Sequence, residues 1–270
     1  MKNMGRYLID AVYLILIVLP LLLIVLLALG HRWSYPALWP TEFNSLSVFI
    51  AQLASTEVLT SLGASLALAV GTIVLTLLIA YPTALALAYY QFPGKKWFNL
   101  MIYLPLIIPG IALLTNLDFV MIKLGLNGRY FGIIVVHSLF CLPYAIKLLS
   151  DNFNLVGPQY AQASQNLGAT RWQTFWQITL PLSKNGLQGA IMMTYIVSMT
   201  QYLATLLVGE GNYLTLAVRM FPFTQAGKYQ LAAIYAIVFM LVTLLPLFLI
   251  DSWLTRQRRR QANGISVERG

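Results

Sequence analysis

Charged side chains are what this 270-residue sequence has least of: Asp, Glu, Lys and Arg together make up 9% of it. A soluble domain carries about 25% charged residues, and so few ionic groups cannot cover a water-facing surface. That scarcity excludes the one or two compact soluble domains that the length alone would allow. A single cysteine, Cys141, excludes an internal disulfide framework and a cysteine-based metal site. The two histidines, His31 and His137, lie far apart and leave little for a metal cluster. No GxxxxGK(S/T) loop occurs, since Gly94-Lys95-Lys96 lacks both the leading glycine and the hydroxyl residue. The chain therefore cannot cradle nucleotide phosphates by that route. No HExxH occurs either, and His137 and Ser138, as sequence neighbours, point about 100° apart on a helix. They make no nucleophile–base pair.

What the sequence has instead is apolar length. Hydrophobic residues make up 59%, the mean hydropathy is +0.74, and several runs reach the roughly 20 residues that cross a hydrocarbon core. The chain reads as a polytopic membrane protein. Backbone groups in lipid must be satisfied within their own segment, so the spans are helices. Transmembrane strands would alternate in stretches of about ten residues, and these runs are longer and continuous. The fold class is therefore all-α integral membrane, with six transmembrane helices at about Ala11–Leu29, Ser61–Ala86, Phe98–Phe119, Phe131–Leu149, Gly186–Val208 and Leu231–Leu249. Pro20, Pro82, Pro105, Pro109, Pro143 and Pro246 fall inside them as tolerated kinks.

The net charge of +9 does not make a nucleic-acid groove, because the bases sit at the ends of apolar runs. With the amino terminus inside, 12 of the 17 basic residues fall on the cytoplasmic side. Only Arg32, Lys123, Arg129, Arg219 and Lys228 fall outside. That bias fixes the topology with both termini cytoplasmic. The first span is about twice as long as many signal cores, so it reads as a retained anchor. The chain then divides into a first helix with its aromatic outer loop (1–60), a five-helix core (61–250) and a basic cytoplasmic tail (251–270).

The informative stretch is the inner loop 152–185. Tyr160 to Leu167 has helix-forming composition, and Gly168 sits where a left-handed helix stop favours glycine. Trp172, Phe175, Trp176 and Ile178 form the apolar face of a second short helix. Leu180-Pro181 is expected to end it. Two short helices joined at a glycine make a compact knob.

At Gln162-Ala163-Ser164, Leu167-Gly168-Ala169, Ile178, Leu180 and Pro181 the sequence resembles the EAA loop of binding-protein-dependent ABC importer permeases. The spacing matches throughout. Gln162 stands where an acidic residue is usual, and Ser164 where the second alanine is usual. The resemblance extends from about Ser61 to Leu249, and the run His137 to Pro143 is similar to permeases of polyamine-type systems. It implies a type I importer permease fold in a bacterial cytoplasmic membrane. It also implies that those nine residues couple the chain to a cytoplasmic ABC ATPase dimer. Other implied partners are a second permease subunit, homologous or identical, and a periplasmic or surface-tethered solute-binding protein, with membrane lipid around them. ATP and Mg belong to the ATPase; this chain is expected to hold no cofactor and no metal, and to be no enzyme. A stand-alone secondary transporter or channel is the alternative reading.

Polar groups at membrane depth are costly and mark function by default. Asn116 and Asp118 in the third span, His137 in the fourth, Thr200, Gln201 and Tyr202 in the fifth, and Glu210 just beyond it are the candidates for a substrate path. The cargo, whether polyamine, thiamine, ferric iron, phosphonate or another solute, stays open.

Overall fold

The computed structural model describes residues 2–33, 37, 39–246 and 248. The basic tail expected at 251–270 lies outside the described residues. Within them the helices are α1 (Lys2–Leu29), α2 (Leu46–Leu53), α3 (Thr56–Tyr89), α4 (Lys95–Ile107), α5 (Gly110–Lys123), α6 (Tyr130–Val156) and α7 (Gln159–Asn166). A helical stretch follows as α8 (Arg171–Thr174), a π-helical turn (Phe175–Thr179) and α9 (Leu180–Leu182). Then come α10 (Lys184–Thr200), α11 (Tyr202–Val208), α12 (Leu216–Gln225) and α13 (Tyr229–Pro246). A short antiparallel pair, β1 (Gly30–Arg32) with β2 (Glu42–Phe43), follows α1.

Four of these helices, α1, α3, α6 and α13, are each long and apolar enough to cross a membrane. The pairs α4–α5 and α10–α11 pass only together, bent by 104° and 63°, and give six spans if each pair counts as one. The segments expected as the third and fifth spans are therefore broken rather than straight. In the third, Pro109 lacks a donor and holds Ile108 extended (φ −73°, ψ 135°). At about 20 Å, α4 alone is too short for a 30 Å core. In the fifth, the break falls at Gln201 (φ −77°, ψ 72°), with no proline or glycine in the joint.

The chain forms two compact units, residues 63–215 and residues 1–62 with 216–270. In the second unit, Ala28, Ala233 and Ile234 are the buried core, with Phe49, Leu53 and Ile237 packed on it. There Arg219 Nη1 donates to Glu57 Oε2 at 3.0 Å. The apolar window of α1 is only 6% buried.

Unit 63–215 holds the candidate site. Its helix contact is closest between α6 and α10, where Gly186 leaves room for no side chain against Asn152. Small residues at such positions let membrane helices approach backbone to backbone. Gly71 likewise admits Ile134 between α3 and α6. One apolar cluster contains Leu68, Met121, Ile133, Val136 and Ala204. Another contains Ala80, Ala145, Leu149, Phe153 and Ala190. Along α3, α6 and α10 a polar seam (Thr72, His137, Ser198) falls between members of the two clusters.

Candidate functional site

The segment 157–183 is built as a chain of local devices. Helix α7 ends in the stop that its sequence demands. Gly168 has φ +91°. Its N–H donates to Gln165 O at 3.0 Å, and the Ala169 N–H to Ser164 O at 3.1 Å. This is the double closure of a glycine-terminated helix, which satisfies carbonyls that would otherwise be orphaned. Thr170 then caps α8. Its Oγ1 accepts from the Gln173 N–H at 3.2 Å, and its own N–H donates to Gln173 Oε1 at 2.9 Å. That is a reciprocal capping box. Ser164, at a family-atypical position, lies 3.0 Å from the Thr174 hydroxyl and ties α7 to α8.

The helical backbone does not end at Leu180-Pro181, as expected from sequence. It runs on through Leu182 and turns at Ser183 (φ −85°, ψ 0°). The π turn widens the coil just before Pro181, so that the missing proline N–H falls in the first turn of α9, where it costs little.

This segment is held to the membrane helices by aromatic groups. The Tyr81 and Ser183 hydroxyls are 2.9 Å apart, and Tyr89 Oη donates to the Gly157 carbonyl at 3.0 Å. Phe153, buried, is met edge-on by the Tyr81 and Tyr89 rings at 5.3 and 5.7 Å. Phe175 packs on Tyr81 at 5.7 Å. The space between Tyr89, Phe153, Tyr160, Ile178 and Ser183 is only about 10 Å³. The knob is thus continuous with α3 and α6.

Its outer side is free. Gln162 and Ala163 are exposed, and Leu167 is 90% exposed. Trp172 and Trp176 also face outward, 6.1 and 5.3 Å from Phe175 and 5.5 Å from each other. Of the nine residues singled out in sequence, Gln162, Ala163, Ser164, Leu167, Gly168 and Ala169 lie on α7 and its stop. Ile178, Leu180 and Pro181 lie on the far arm, half-buried to exposed. Sequence reading missed Thr170, Thr174, Tyr81, Tyr89 and Phe153. The Thr170-to-Gln173 spacing was the signal for the first; the others are joined only in three dimensions.

The polar residues of the spans do not form one cluster. Thr200 Oγ1 donates to the carbonyls of Ile196 and Val197 at 3.1 and 2.9 Å, and Gln201 occupies the break itself. Tyr202 opens α11. His137, 1% exposed, lies 3.0 Å from both the Ser198 and Thr205 hydroxyls. Asn116 donates to Ala112 O on its own helix at 2.7 Å. Asp118 Oδ1 is enclosed without a hydrogen-bond partner. Glu210, the one non-glycine with positive φ (51°) among the described residues, accepts from Asn127 Nδ2 at 2.8 Å. Among the described residues no group of three His, Cys, Asp or Glu could hold a metal ion.

Residues 80–261 match the family described as the binding-protein-dependent transport system inner membrane component. A Salmonella typhimurium protein named for a 2-aminoethylphosphonate transport system permease is 25% identical over 90% of this chain and 91% of its own. The molybdenum transport system permease protein of Haemophilus influenzae is 26% identical over 75% of this chain and 96% of its own. A spermidine/putrescine transport system permease homolog of Mycoplasma genitalium is 27% identical, covering 90% and 89%. Among solved structures, a bacterial ABC transporter involved in import of the acidic polysaccharide alginate superposes with a TM-score of 0.70. That likeness is at 17% identity and covers 94% of this chain and 95% of that one; it shows the fold.

Proposed function

Because the chain belongs to the family of inner membrane components of binding-protein-dependent transport systems, and is a multi-pass permease subunit of an ABC importer, we propose how it couples and what it passes. Helix α7 and its glycine stop dock on a cytoplasmic ATPase dimer through Gln162, Ala163, Leu167 and Gly168. The Ser164–Thr174 bond and the capping box hold that helix at a fixed angle. Tyr81, Tyr89 and Phe153 carry its displacement into α3 and α6. The observation that carries this reading is an exposed helix, closed at its C-terminal end by local bonds, in a segment tied to the buried Phe153 and the half-buried Tyr81 and Tyr89 of the membrane helices. A surface segment lying passively on lipid would need no such linkage.

We read this chain as no enzyme itself: hydrolysis, with ATP and Mg, belongs to the partner. A second permease subunit, homologous or identical, completes the pore and with lipid covers the naked face of α1. Both termini lie in the cytoplasm, and the binding protein delivers solute at the opposite face. The path runs by the break at Gln201, because interrupted helix at membrane depth is tolerated only where it is enclosed or lines a water-filled cavity. Thr200, Gln201 and Tyr202 are uncharged, so selection of cargo by charge rests with the binding protein. The relatives' names span a phosphonate, molybdenum and polyamines, in keeping with one architecture serving several cargo chemistries.

The test is co-purification of the ATPase with Gly168→Val and Gly168→Asn variants. Nothing lies within 4 Å of a Cβ added there, so the substitution acts through backbone alone. A β-branched residue is strained at φ +91°, whereas asparagine tolerates the left-handed region. Valine should lose the ATPase with the protein still inserted, and asparagine should keep most of it. Full-strength complex and normal coupling with valine would place docking elsewhere.

A further inference from the structure

His137 is buried within the chain, and its bonds connect three helices. Ser198, 3.0 Å from its Nδ1, belongs to α10; Thr205, 3.0 Å from its Nε2, belongs to α11. These are the two halves of the broken fifth span. The Ser198 hydroxyl also donates to that of Thr72 on α3 at 3.3 Å. Thr205 Oγ1 donates to the Gln201 carbonyl at 2.6 Å. A carbonyl only accepts, so the single Thr205 proton is committed and its oxygen takes the Nε2–H of the ring. An imidazolium at this depth would lack a carboxylate partner and be costly. The neutral ring therefore carries its proton on Nε2, and its Nδ1 shares the single Ser198 proton with the more distant Thr72 hydroxyl.

The backbone at the joint is weak by comparison. Gln201 N–H reaches Ser198 O at 3.3 Å, and Thr205 N–H reaches Gln201 O at 3.4 Å. Both are longer than the His137–Ser198, His137–Thr205 and Thr205–Gln201 bonds at 2.6 to 3.0 Å, so those side chains hold the joint. One helical turn nearer the coupling segment, Thr76 and Thr194 are equally enclosed, and their hydroxyls have no hydrogen-bond partner.

We propose that His137 is a positioning residue that braces α10 against α11 across the break at Gln201, fixing the 63° bend and with it the placement of Thr200, Gln201 and Tyr202. The proposal rests on reading the break as the solute path, and its test separates the two. Spin labels at Asn185→Cys and Asn212→Cys report the distance across the bent pair; buried Cys141 stays out of a label's reach. The same importer, reconstituted with its ATPase and binding protein, gives uptake per ATP hydrolysed. His137→Leu should broaden the distance distribution and lower uptake per ATP by roughly fivefold or more, the size of one buried hydrogen bond, with basal hydrolysis retained. Glutamine at 137 reaches the Nε2 position and should restore the narrow distribution. Asparagine reaches only the Nδ1 position, on the near side of the break, and should not. Equal behaviour of the two amides would overturn the brace. Should the His137 variants fail to insert, Thr205→Val leaves the ring in place and must itself broaden the distribution; an unchanged distribution there overturns the brace as well. Broadening with unchanged uptake keeps the brace and overturns the break as the path.

Discussion

Gln162 occupies the position where the family usually has an acid, and it stands exposed on α7 without a hydrogen bond to any other side chain among the described residues. Docking at that point cannot depend on an ion pair. Gln162→Ala should therefore weaken the ATPase complex only by about 0.5–1.5 kcal/mol, the value of a neutral hydrogen bond. Ser164 differs in kind, because its hydroxyl is spent inside the knob, 3.0 Å from that of the buried Thr174. Ser164→Ala leaves that enclosed hydroxyl without its tie and should cost about 1–3 kcal/mol. Its loss should appear as looser coupling rather than as a lost contact. Titrating ATPase against each reconstituted variant separates the two: a weaker affinity for Gln162→Ala, a lower stimulated rate at saturation for Ser164→Ala. The reverse pattern would exchange their roles.

At the level of elements, what the sequence made legible and what it hid have distinct physical causes. Apolar run length located all four continuous spans and both bent pairs, because lipid imposes length and hydropathy directly. Gly168 was legible because a left-handed stop admits few other residues. The break in the third span had a visible cause in Pro109, although a kink was expected where the chain turns by 104°. The break at Gln201 had none, since neither proline nor glycine sits there. It is held by Thr200, Thr205 and His137, residues brought together by packing and not by spacing. The same holds for Tyr81, Tyr89 and Phe153, which read in sequence as ordinary apolar positions. Polar composition alone had marked Thr200, Gln201 and Tyr202, and the structure places them at the joint. Gln201→Leu removes the amide without touching the backbone bonds of the break. It should alter uptake kinetics by roughly tenfold while leaving the amount of assembled complex unchanged, as expected when a positioned polar contact of about 1.4 kcal/mol is lost. Unchanged kinetics would reduce the cluster to helix packing.

For the whole molecule, orientation and energy source remain as the two global statements. With both termini inside, as proposed from the partition of basic residues, single cysteines introduced at Ser45 and Ser266 should be labelled from opposite faces of the membrane. Labelling of both from one face would overturn the topology, and with it the assignment of the α7 knob to the ATPase side. The proposed energy source, a separate ATPase, rests on membership in the family of inner membrane components of binding-protein-dependent transport systems. The most direct measurement is solute uptake into proteoliposomes, using the solute that the partner binding protein retains. Vesicles containing this chain and its permease partner without the ATPase should accumulate nothing, with or without ATP, and adding the ATPase and the loaded binding protein should start ATP-dependent accumulation. Accumulation driven by an ion gradient in the absence of any ATPase would contradict the account and make the chain a secondary transporter.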